Sequence, residues 1–120
     1  MGGVKIAEEK PRMKGPAVPN PTLKDLEAQV SAVSDTYAKR FDVNRDDVWY
    51  LAKLSEELGE LVQAYLKTTG RGRSTEMTPE QLREGLENEV ADLFAQVLLF
   101  SKWQGIDIAG ALERKWFKFL

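Results

Sequence analysis

Two short strings hold most of the residues whose types and spacing could do chemistry. The first, Lys53-Leu54-Ser55-Glu56-Glu57-Leu58-Gly59-Glu60-Leu61, sets Glu57 and Glu60 three residues apart. The second, Glu87-Asn88-Glu89-Val90-Ala91-Asp92-Leu93, repeats that spacing with Glu89 and Asp92. Residues three apart on a helix share a face, so two such pairs on antiparallel neighbours can point four carboxylates into one volume. Carboxylates crowded together and partly withdrawn from water repel one another and take up protons. A divalent cation resolves that conflict, and a ligand set made only of oxygen selects magnesium or manganese over zinc or copper.

The rest of the chain supplies little competition. It has no cysteine and no histidine, which removes disulfides, thiol nucleophiles, Ser-His-Asp and Cys-His catalysis and the usual zinc sets. A net charge of -2 argues against a broad basic face for DNA or RNA, whose affinity rests on phosphate neutralisation. No run approaches the roughly 18 apolar residues of a membrane span, and no apolar leader is visible at the N-terminus. The expectation is a cytoplasmic protein with no nucleic-acid polymer and no membrane among its partners.

Taken singly, each acidic string is the pattern of a solvated helix face with ion pairs to nearby lysines. Together they sit on successive long helices, each inside a hydrophobic stripe, joined by a glycine-rich basic loop. Lys53, one turn before Glu57, suits either a phosphate oxygen or an ion pair with Glu57. Lys67, Arg71 and Arg73 fit the mouth of a site or plain solvent. Trp49, Tyr50 and Trp103 could stack on a nucleobase, although helical aromatics more often belong to the core.

The elements that must position these residues can be read from caps and periodicity. The 120-residue chain has the length of one domain. Residues 1–21, rich in proline and glycine, read as a flexible arm, and 22–120 as an all-α domain. Thr22 with Asp25 marks a first helix carrying Leu23, Leu26, Val30, Val33 and Tyr37. A linker around Asp42-Val43-Asn44 leads to a second helix over 45–68, with Val48, Leu51, Leu54, Leu58, Leu61, Val62 and Tyr65 on its apolar positions. Gly70 and Gly72 end it. Thr78, Pro79 and Gln81 open a third helix that runs to about Trp103, with a stripe of Leu82, Leu86, Val90, Leu93, Phe94, Val97 and Leu98. Asp107 caps a short last helix carrying Ile108, Leu112 and Trp116. The expected architecture is a four-helix bundle with two long and two shorter helices. Trp116, Phe117, Phe119 and Leu120 crowd its end, more apolar surface than one face hides, and read as a subunit contact of a dimer or tetramer.

KLSEELGELVQAYLKTTGRGR followed by ENEVADLFAQVLLF resembles the MazG-type all-alpha nucleotide pyrophosphohydrolases, whose signature is E-E-x-x-E, a spacer, then E-x-x-D. The likeness covers about residues 22–116. It implies magnesium-assisted cleavage of a nucleoside triphosphate to the monophosphate and pyrophosphate. It also implies Glu57, Glu60, Glu89 and Asp92 as metal ligands, and Glu56 as the residue that orients or deprotonates the attacking water. The family's last helix carries a lysine, then an asparagine or arginine, on the phosphates. Lys115 matches the lysine; Phe117, Lys118 and Phe119 supply no asparagine, and Lys118 is the available substitute.

Canonical or damaged (deoxy)nucleoside triphosphates are the leading expected substrates, in a house-cleaning role. A phosphoribosyl-ATP pyrophosphohydrolase ranks behind, because those relatives usually carry a histidine after the second motif. A non-enzymatic helical dimerisation or regulatory module, with the acidic strings as surface charge, is the reading from a different class.

Overall fold

The computed structural model describes residues 18–73 and 76–120. The flexible arm expected over 1–21 therefore lies, apart from its last four residues, outside the described part. Among the described residues the chain is all helical: α1 (Leu23–Arg40), α2 (Asp47–Thr68), α3 (Pro79–Gln104), α4 (Ile108–Lys115) and a 3-10 turn at Phe117–Phe119. None of these helices is long and apolar enough to cross a membrane.

Local hydrogen bonds fix the helix starts. Thr22 Oγ1 accepts from the Asp25 amide while the Asp25 carboxylate accepts from the Thr22 amide. Thr78 and Gln81 make the same reciprocal pair ahead of Pro79, so two of the donors a helix N-terminus leaves over are satisfied. Replacing Thr78 by alanine is expected to lower stability by about 1 kcal/mol, measured as a shift in urea midpoint. α2 starts two residues later than the sequence reading placed it, because Asp46 accepts from the Trp49 amide and so serves as its cap. Asp107 caps α4 through the Gly110 amide. Trp116, read as part of the last helix, instead closes it, and the chain tightens into the 3-10 turn.

α1 has 18 residues, α2 22, α3 26 and α4 8, so three helices are long and one short, against the expected two and two. α1 runs to Arg40 with no glycine or proline inside it to break it; Asp42 then takes a positive φ of 53°, which a helix cannot continue through. α2 and α3 pack along their length, and α1 crosses α3. The Lys102 ammonium donates to the buried Ser31 hydroxyl at the second contact. Arg45 holds the linker to α1 through Asp35 and Ser34. α4 has its main packing partner in the 3-10 turn.

Among the described residues the apolar core is thin: Ala38, Tyr50, Leu98 and Leu99 are the buried apolar ones. Several apolar positions of the long helices face outward. Val48, Leu51, Leu58, Val62 and Tyr65 on α2 are half exposed or more, Val48 reaching 72%. With Ser55 they follow a three-four spacing, the seam pattern of a helix that packs on another helix. Val90, Phe94 and Val97 on α3 are likewise exposed, as are Trp116, Phe117, Phe119 and Leu120.

Candidate metal centre

α2 and α3 run antiparallel. Tyr50 stacks on Trp103 at one end, with centroids 5.1 Å apart, and Lys67 shares a cleft with Met77 and Leu82 at the other. That register brings the two acidic strings face to face at mid-length. Glu57, Glu89 and Asp92 each offer a carboxylate oxygen, all within 4.8 Å of one another; Glu56, Glu57 and Glu60 form a second such group. Glu57 is common to both. It is 7% exposed and Glu89 9%, and Glu57 Oε1, Glu60 Oε2 and Glu89 Oε1 are shut off from solvent.

Burial is what separates this arrangement from a surface charge run. Charges withdrawn from water are costly unless compensated. Lys53 supplies part of that compensation: its ammonium contacts Glu56 Oε1 and lies 3.8 Å from Glu57 Oε2. The sequence left Lys53 open between a phosphate contact and an ion pair with Glu57; here it pairs first with Glu56, its neighbour three residues on. The donor set, oxygen alone and several formal charges within one ångström-scale volume, fits a hard divalent cation.

Residues 46–119 match the family model of the MazG nucleotide pyrophosphohydrolase domain. The chain belongs to that family. No curated protein and no solved structure matches. The match starts at the cap of α2 and takes in both acidic strings, α4 and the 3-10 turn, whereas α1 precedes it. A MazG domain makes the chain a nucleotide pyrophosphohydrolase, and members of the family generally use a divalent metal, an ion that the two carboxylate groups could hold.

Within the matched region the structure brings Lys53, Glu56, Glu57, Glu60, Glu89 and Asp92 near one another. Lys115 and Lys118 are not gathered with them in the same way: they stand on α4 and the 3-10 turn, whose packing is chiefly with each other. Trp49, Tyr50 and Trp103, considered for stacking on a base, instead engage one another. Tyr50 is buried, meets Trp49 edge-on at 5.0 Å and stacks on Trp103, whose indole N–H donates to Asp47. Two features were missed. Gln96, one turn beyond Asp92, has a buried Oε1 without a hydrogen-bond partner, and its i+4 spacing from Asp92 was the available signal. The cleft reaching Met77 had no sequence signal, since it depends on where a loop residue comes to lie.

Proposed function

We propose that the protein hydrolyses (deoxy)nucleoside triphosphates to the monophosphate and pyrophosphate with magnesium, manganese serving in its place, held by Glu57, Glu60, Glu89 and Asp92. The observation that carries this reading is the burial of carboxylates from two helices in overlapping groups. A surface acidic face has no reason to withdraw Glu57 and Glu89 from water. When bound, the metal neutralises phosphate charge and polarises the phosphoryl oxygens.

The chain's own groups do the rest. Glu56, at the edge of the centre and anchored by Lys53, orients the attacking water and takes its proton. The water oxygen forms a bond to the α-phosphorus as the bond to the α–β bridging oxygen breaks, and pyrophosphate leaves with that oxygen. Positioning and charge compensation carry such a displacement. Lys53 is close enough to the carboxylates to contact a phosphate once substrate competes for it. Lys115 and Lys118 serve the phosphates only when the assembled protein folds the last segment over the groove. A cytoplasmic house-cleaning role fits this chemistry. The exposed α2 seam supports a homodimer, or a dimer of dimers, built on that face.

The test is a magnesium-dependent release assay over the common nucleoside and deoxynucleoside triphosphates that separates pyrophosphate from orthophosphate, with Asp92→Ala alongside. Pyrophosphate with monophosphate from the wild type, lost in chelator and cut at least about a hundredfold in Asp92→Ala, is the expected outcome. Orthophosphate release, or an undiminished Asp92→Ala, overturns the reading.

A further inference from the structure

A cleft of about 270 Å³ opens beside the carboxylates, between the C-terminal half of α2 and the first turns of α3. Glu60 and Glu89 line it and also belong to the carboxylate groups, so cleft and candidate metal centre are continuous. Away from those two residues the lining changes. Ala64, Met77 and Leu82 are apolar, Gly85 offers bare backbone, and the polar side chains are Gln63 and Lys67. Gly85 lies within α3, where glycine is less favourable than alanine. A Cβ built there meets nothing within 4 Å, so no crowding demands a glycine, and its bareness leaves the cleft wide.

We propose that this cleft seats the nucleoside half of the substrate, and that Lys67 makes it select keto bases (uracil, thymine, guanine) over the amino bases cytosine and adenine. The inference rests on the triphosphate reading above and names the substrate class for that site. With the α-phosphorus at the carboxylates, the nucleoside and the departing diphosphate leave it in different directions. A diphosphate gains nothing from Ala64, Met77 and Leu82. The flat faces of a base do, and a thioether is a favourable neighbour for an aromatic ring. Lysine brings three donors and no acceptor. Set against a ring carbonyl it makes a charge-assisted hydrogen bond; set against an exocyclic amino group it opposes donor to donor. Gln63, with both a donor and an acceptor, discriminates nothing alone, so Lys67 decides.

The experiment measures kcat/KM with magnesium for dUTP against dCTP and for dGTP against dATP, in the wild type, Lys67→Met and Lys67→Glu. It also measures binding of α,β-methylene-dUTP by calorimetry in the wild type and Gly85→Leu, with manganese occupancy followed by electron paramagnetic resonance. The wild type is expected to favour the keto base of each pair by about tenfold or more. Lys67→Met brings the ratios near one, and Lys67→Glu, whose carboxylate accepts, turns them toward the amino base. Gly85→Leu weakens the analogue by about tenfold or more while manganese still binds, because the added side chain fills the cleft and not the centre. A wild type without keto preference, or an equal loss on every triphosphate in Lys67→Met, which would put Lys67 on the phosphates, overturns the proposal. Unchanged analogue binding in Gly85→Leu does so too. A wild type that hydrolyses no triphosphate but binds the analogue in a Gly85-sensitive way would sink the activity and leave the cleft assignment standing.

Discussion

Glu57→Gln is expected to lower kcat/KM by about a thousandfold or more while leaving the helices intact, since several kcal/mol of charge stabilisation goes with the ligand. Glu57 is the carboxylate shared by both groups, so one substitution removes an oxygen donor of full charge from each. Glutamine keeps the shape, and the pair between Lys53 and Glu56 remains. Stability should respond in the opposite sense to activity. The metal-free protein holds like charges together at a buried place, and removing one relieves that repulsion, so the metal-free variant should melt at or above the wild-type temperature. Magnesium, which stabilises whatever form binds it by mass action, should raise the melting temperature of the wild type and leave that of Glu57→Gln nearly unmoved. Thermal melts with and without magnesium, together with a manganese titration, check both halves. An undiminished magnesium shift in the variant would take Glu57 out of the centre.

What the sequence made legible was whatever depends on near neighbours. Thr22, Thr78 and Asp107 announce helix starts because their partners lie three residues on, and each made the bond its type suggests. The spacing of Glu57 with Glu60 and of Glu89 with Asp92 was equally local. Their burial was not, for it depends on the register of α2 against α3, which sets Tyr50 beside Trp103 and so the acidic strings opposite each other. α2 shows why apolar periodicity does not by itself define the core. Its apolar residues form two adjoining stripes, and periodicity finds both without saying which of them another element of the same chain will cover. Leu54 and Leu61 are half-buried, while Leu58 and Val62, one residue away from the carboxylates or the inner stripe, stay exposed. Lys53 illustrates a finer limit: Glu56 and Glu57 lie three and four residues on, both within reach of a long side chain, and only the folded structure sets the ammonium nearer to Glu56.

Val62→Glu should convert the proposed homodimer to monomer, raising its dissociation constant about a hundredfold or more, as a carboxylate in the middle of an apolar contact loses packing and must shed water. Val62 lies between Leu58 and Tyr65 on the exposed α2 seam and is 50% exposed in the single chain. That exposure makes the test clean. In an isolated chain a glutamate there remains solvated, so the variant should keep its helices, and only assembly should suffer. Val48, Leu51, Leu58, Val62 and Tyr65, with Ser55 between, repeat at the three-four spacing that two helices share along a common seam. A thin core adds force, since a chain whose buried apolar residues are few gains stability by covering that seam with a second copy. Sedimentation at micromolar concentration reads the change directly, and the melting temperature should depend on protein concentration in the wild type but not in Val62→Glu. A wild type that sediments as a monodisperse monomer at that concentration would remove the dimer, and the seam would then be an exposed stripe that a single chain tolerates without a partner.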